Sequence, residues 1–226
     1  MNLTLDNISF SYKTKYQTVQ AVKNASCSFE QGKFYAVIGK SGSGKTTLLS
    51  LAAGLEVPDG GNIIFNGENI KNMNKDGYRR DIVSVIYQNF NLFPLLTVME
   101  NVIYPMTLKK SSKNAAYKKA AEVLKKVGLD EKYYKRLPAM LSGGEQQRVA
   151  IARALASGTK VILADEPTGN LDSKNSQEIV DLLKMSNEKY GQTLIIITHD
   201  ENIALQADRI IAIEDGKITR DEVIRR

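Results

Sequence analysis

An apolar pentapeptide, FYAVI at 34–38, runs directly into GKSGSGKTT at 39–47 and then into LLSLAAGL at 48–55. Strand, glycine-rich loop and helix in that order turn the pattern G-x-x-x-x-G-K-[ST] into a phosphate cradle. Gly39, Gly42 and Gly44 let the backbone curl so that successive N–H groups point inward. The following helix adds the positive end of its dipole. Lys45 is placed to neutralise β- and γ-phosphate oxygens, and the Thr46 hydroxyl to ligate Mg²⁺. Lys40, Ser41, Ser43 and Thr47 complete a loop expected to bind a nucleoside triphosphate.

The segments around this loop predict an α/β chain. LTLDNISF at 3–10 alternates as a strand, with Tyr12 just beyond it. VQAVKNASCSFE at 19–30 is a second β segment, and PDGG at 58–61 turns into a third, NIIF. These form a β-rich layer at the N-terminus, expected to be antiparallel. IVSVIY (82–87), KVILADEP (160–167) and TLIIIT (193–198) are buried strands of a mainly parallel core. Helices are expected over 112–127, over EKYYKRL, over 141–156 and from Ser173 to about Tyr190. DRIIAIEDGKITRDE then closes the chain with two short strands around an Asp-Gly turn. With 226 residues this is one α/β unit: 1–89 and 158–226 make the core and β layer, and 90–157 is an inserted helical subdomain.

Polar groups collect where strands end, the edge that faces the ligand crevice in parallel sheets. Gln88 follows one strand; Asp165 and Glu166 end another. Two carboxylates at the end of a buried strand are costly without a cation. Asp165 suits Mg²⁺, and Glu166, facing differently, can polarise an attacking water. His199, the one histidine, ends a third strand. Alone it is more often structural, but this edge already carries the loop, Gln88 and the carboxylates. Tyr12 is either an ordinary strand-end tyrosine or an aromatic face for a nucleobase. Ser142 with Glu145 spells a capping box, so Ser142, Gly143 and Gly144 open a second helix with exposed N–H groups.

The formal charge of +6 is uneven: ten basic residues against three acidic ones lie between Lys109 and Arg136. A solvated helix face explains this most simply, ahead of an anionic membrane surface. Nucleic acid comes last, for want of interleaved aromatics or a zinc pattern, and no nucleic-acid partner is expected. NFNLFPLL at 89–96 is too apolar for an ordinary loop and reads as a partner contact. Cys27 is the one cysteine, in a packing role. No run reaches the roughly 20 apolar residues of a membrane span, and the N-terminus lacks a signal pattern, so a cytoplasmic location is expected.

At LSGGEQQRVA the sequence resembles the nucleotide-binding subunits of ABC transporters, over essentially the whole chain. The family's motifs occur in order: Tyr12 as the adenine-stacking aromatic, GKSGSGKTT as Walker A, and Gln88 as the Q-loop glutamine. LSGGEQ follows as the signature, with Glu145 where many members have Gln, then VILADE as Walker B. Glu166 matches the catalytic glutamate, NLD at 170–172 the D-loop with Asp172, and His199 the switch histidine. NFNLFPLLTVMENV and ADEPTGNLDS are similar to the group of MacB, LolD, FtsE and the bacitracin-type peptide exporters. The resemblance implies a P-loop ATPase with Lys45, Glu166 and His199 at the reaction, and Mg²⁺ held by Thr46, Gln88 and Asp165. It also implies a head-to-tail homodimer in which Ser142, Gly143, Gly144 and Glu145 of one copy meet the ATP of the other. A separate transmembrane permease subunit is the expected partner, with a periplasmic or extracellular adaptor as an optional third component. The chain is then peripheral on the inner membrane face. The alternatives are a non-transport member (repair, assembly or cell division) and an amino-acid importer ATPase.

Overall fold

The computed structural model describes residues 2–169, 171 and 173–224, without the side chains of residues 173–175. The strands are β1 (Asn2–Lys13), β2 (Thr18–Glu30), β3 (Phe34–Ile38), β4 (Gly60–Phe65), β5 (Glu68–Asn69), β6 (Val83–Ile86), β7 (Val161–Asp165), β8 (Thr193–Ile197), β9 (Arg209–Glu214) and β10 (Lys217–Val223). The helices are α1 (Lys45–Ala52), α2 (Lys75–Asp81), α3 (Val98–Leu108), α4 (Lys113–Lys126), α5 (Gly143–Ser157), α6 (Ser173–Tyr190) and α7 (Glu201–Ala204).

Two sheets result. One is antiparallel, in the order β2-β1-β4-β5. The other runs β10-β9-β3-β8-β7-β6 and is parallel except for the β9–β10 hairpin. Both faces of the parallel sheet are covered, which is why FYAVI, VILAD and TLIII are apolar throughout. The pleat divides them. Tyr35, Val37, Leu163, Ile195 and Ile197 pack with α1 and the antiparallel sheet. Phe34, Ala36, Ile162, Ala164, Leu194 and Ile196 pack on the opposite side, with α3, α4, α5 and α6. Cys27 sits in the first of these layers, and burial pushes its thiol up to about 12.

Two segments differ from expectation. Thr97 and Glu100 form a complete capping box, so the apolar stretch after Gln88 gives way to α3, a helix unforeseen in the sequence. Its Asn101 is fully buried and ties down the preceding loop: the amide nitrogen donates to Phe93 O, Leu96 O and Thr97 O, and Oδ1 accepts from Phe93 N. In EKYYKRL only a 3-10 turn forms, Glu131–Tyr133. There Val98 N donates to Arg136 O and Met99 N to Tyr134 O, so the segment's carbonyls serve the start of α3.

Candidate functional site: a nucleotide cradle and a detached helix end

Gly39, Gly42 and Gly44 have φ of 155°, 77° and 105°. Close backbone approach makes two of them obligatory. A Cβ on Gly39 would lie 2.2 Å from Ile213 O, and one on Gly44 would lie 2.3 Å from Ala21 O. The loop is thus wedged between β2 and β9, and the turn after β9 adds a hydrogen bond from Gly216 N to Ser43 O (2.9 Å).

Inside the loop Lys45 is buried, and its ammonium donates to Gly39 O (2.9 Å) and Lys40 O (2.8 Å). An ammonium has three donors, so one direction is left for an anion. Among the described residues the buried Ser43 hydroxyl has no hydrogen-bond partner. An inward-curled backbone, a cation with capacity and an orphaned hydroxyl together fit a polyphosphate.

The loop opens into a cavity of about 730 Å³ that Tyr12, Thr46, Gln88, Asp165 and Glu166 also line. Sequence positions from 12 to 166 meet there because β3, β8 and β7 are neighbours ending on the same side. Tyr12 stands at the mouth, half-exposed, edge-on to Phe10 and with its hydroxyl 3.3 Å from Thr47 Oγ1. Burial raises the Asp165 carboxyl above its ordinary value, opposed by a hydrogen bond from Thr46, reinforced by Glu166 and opposed again by Lys45. Hydroxyl, amide and carboxylate oxygens on Thr46, Gln88 and Asp165 form a hard donor set of the kind Mg²⁺ takes.

Glu166 adopts φ 44°, a strained conformation for a residue with a side chain. Its N–H donates to Ile197 O (3.0 Å), and its carboxylate lies 3.6 Å from His199 Nδ1. Gly169 packs closely beside it: a Cβ there would meet Gln88 Nε2 at 3.2 Å and Glu166 Oε2 at 3.4 Å. Glu166 also lines a second cavity, of about 450 Å³, shared with Thr198 and His199. Asp172 lies outside the described residues.

Ser142, Gly143, Gly144 and Glu145 are elsewhere. They open α5 through a reciprocal cap, with Ser142 N donating to Glu145 Oε2 (2.7 Å) and Glu145 N to Ser142 Oγ (3.3 Å). None of the four lines the nucleotide cavity. Further along α5, Arg153 was not singled out in the sequence. It donates to Phe90 O (3.0 Å) and Asn91 O (2.7 Å), two residues held at positive φ just after Gln88. A single arginine among the apolar residues of IARALA was its signal.

The family model described as "ABC transporter" matches residues 22–169. The chain belongs to the ABC transporter family. Among its relatives is the uncharacterized ABC transporter ATP-binding protein MJ0796 of Methanocaldococcus jannaschii, 41% identical over 229 residues that cover 99% of this chain and 97% of that protein. The macrolide export ATP-binding/permease protein MacB of Photorhabdus laumondii is 42% identical over 222 residues, covering 97% of this chain but 34% of MacB. A solved dimeric structure of MJ0796, in a post-hydrolysis state bound to ADP and Pi, superposes with a TM-score of 0.93 at 40% identity, covering 99% of both chains. The chain is therefore an ABC-type ATPase, of a family that binds ATP. Among the described residues no helix is long and apolar enough to cross a membrane.

Proposed function

We propose that this ATPase is the energy-coupling subunit of a MacB-like efflux, peptide-resistance or lipoprotein-type system, working as an ATP-sandwiched homodimer. One observation carries the reading: the cavity that gathers Tyr12, loop 39–47, Gln88, Asp165 and Glu166 is missing the family signature. The signature's exposed helix end contributes nothing to the lining of its own nucleotide cavity, and MJ0796 is a dimer in its ADP- and Pi-bound structure. In this reading Ser142, Gly143, Gly144 and Glu145 of one copy close over the γ-phosphate held by the other, and Asp172 couples the two sites.

Each residue then has a task. Tyr12 stacks on adenine. Lys45 turns its third donor to the phosphates, and Thr46, Gln88 and Asp165 hold Mg²⁺. When bound, that ion offsets charge on the phosphate oxygens. Glu166 orients and polarises the attacking water, and His199, beside it, contacts the γ-phosphate. Positioning and charge stabilisation suffice for this chemistry, so no covalent enzyme intermediate is needed.

The helical subdomain, 90–157, is assigned the link to a transmembrane permease at the inner face of the membrane, with an adaptor beyond it where the system has one. Phe93, Tyr104 and Leu108 line a mainly apolar groove of about 330 Å³ beside Arg79, Arg80 and Arg153. That surface supports a partner contact near residues 90–96.

The test of the sandwich is Glu166→Gln with ATP. Light scattering is expected to show a stable dimer, with phosphate release lowered at least a hundredfold. Near-normal turnover would remove Glu166 from its role, and a monomer at saturating ATP would remove the dimer.

A further inference from the structure

The helix end that the sandwich reading brings onto the partner's phosphates carries an anion. Glu145 sits in the first turn of α5, where an acidic side chain complements the helix dipole and so cancels part of the positive potential that attracts phosphate. Its carboxylate is fully ionised at neutral pH: a hydrogen bond from Ser142 N holds it below the usual range, helped by the Tyr133 hydroxyl and the Arg136 charge. The cap also occupies two donors. Ser142 N is bound to Oε2 and Glu145 N to Ser142 Oγ, which leaves the N–H groups of Gly143 and Gly144 for an arriving oxygen. Behind the carboxylate stands a small counter-charge unit. The Tyr133 phenol points at Glu145, and the Arg136 guanidinium lies 4.6 Å over the Tyr133 ring.

We propose that Glu145 is an electrostatic brake on ATP-driven closure, set by Tyr133 and Arg136, which hold the carboxylate and mute its charge. The brake raises the ATP concentration at which two copies close, and it rests on the sandwich reading. The nucleotide brings several negative charges to a surface already holding one, inside a closing interface where water is displaced and charges are less screened. A glutamine at this position keeps the reciprocal cap, because the capping box accepts Glu or Gln; only the charge changes.

The experiment titrates dimer formation with ATP by light scattering, in a Glu166→Gln background so that hydrolysis does not obscure the midpoint. Adding Glu145→Gln is expected to lower that midpoint roughly tenfold, two sites closing per dimer with a modest gain at each. Arg136→Ala is expected to raise it about twofold in the presence of Glu145 and to have no effect beside Glu145→Gln. That dependence separates a charge role from a merely structural one. A midpoint unchanged or raised by Glu145→Gln overturns the brake; a raised one would mean that the carboxylate accepts a hydrogen bond from the partner's nucleotide. Failure of all variants to dimerise at any ATP concentration overturns the sandwich itself, and the brake with it.

Discussion

Helix α1 starts from Gly44 at φ 105°, with no side-chain cap and no acidic residue in its first turn; α5 starts from Ser142 with a complete capping box and Glu145 in its first turn. Both are glycine-rich helix ends that can bind anions, yet one is bare and walled in while the other is capped and exposed. The bare end keeps its orphan N–H groups for a ligand, and the rest of the chain holds it in shape through Ala21 O, Ile213 O and Gly216 N. The exposed end has no such walls, so its own residues satisfy the start of the helix. The first is built to hold phosphate from one side. The second is built to be stable without it.

Glycine substitution sharpens this contrast most. Gly44→Ala places a Cβ 2.3 Å from Ala21 O at a φ that L residues avoid, so the nucleotide-free chain is expected to lose about 3 kcal/mol or more in urea unfolding. Gly144→Ala meets only Leu171 Cδ2 at 3.5 Å, and its stability should stay within about 1 kcal/mol of the parent. Equal losses at the two positions would break the distinction between a walled and a free helix end.

A serine pair tests the caps at smaller scale. Ser142→Ala removes the α5 cap and should lower stability by about 1 kcal/mol, with faster hydrogen exchange in the first turn of that helix. Ser43→Ala removes a buried hydroxyl that has no partner among the described residues, so the nucleotide-free chain should be unchanged or slightly more stable. The opposite pattern would mean that the loop is self-satisfied and the signature end is not.

The smallest effect concerns Asp165, on the wall of the bare end. Its folded pKa lies above the ordinary value, so the folded chain keeps this proton through a pH window in which the unfolded chain has lost it. Stability falls as pH rises through that window and stays lower above it. Asp165→Asn removes the loss. Thermal melts without nucleotide should show the variant more stable near about pH 7, with the gap closing below about pH 4. A gap that does not change with pH would assign the effect to packing.

Much of the fold was legible because its signals are local. The all-apolar runs FYAVI, VILAD and TLIII announced strands covered on both faces, and the Asp-Gly turn announced the closing hairpin. Helix α3 was missed although Thr97 and Glu100 spell the same kind of cap as Ser142 and Glu145. Pro105 and the apolar residues ahead of it masked the helical period, and Asn101, whose buried amide shapes the loop, has no sequence signature. Arg153 stands out as the lone charge in IARALA, but its role is not legible there, because its partners are backbone carbonyls some 60 residues earlier.

By itself the sequence determined the chemistry available at each point: glycines where the backbone must curl, a lysine and a threonine at a helix start, and carboxylates at a strand end. Such properties depend on a few neighbouring residues, so they survive without a fold. Only the tertiary structure decided which of these groups share a cavity. The order β3-β8-β7 draws Asp165 and Glu166 beside the loop, and Ala21 and Ile213 press it into shape. The same packing leaves Ser142 through Glu145 on an open surface, capped and apart from the cavity. Distance between groups far apart in the chain is set by packing, which no local pattern encodes.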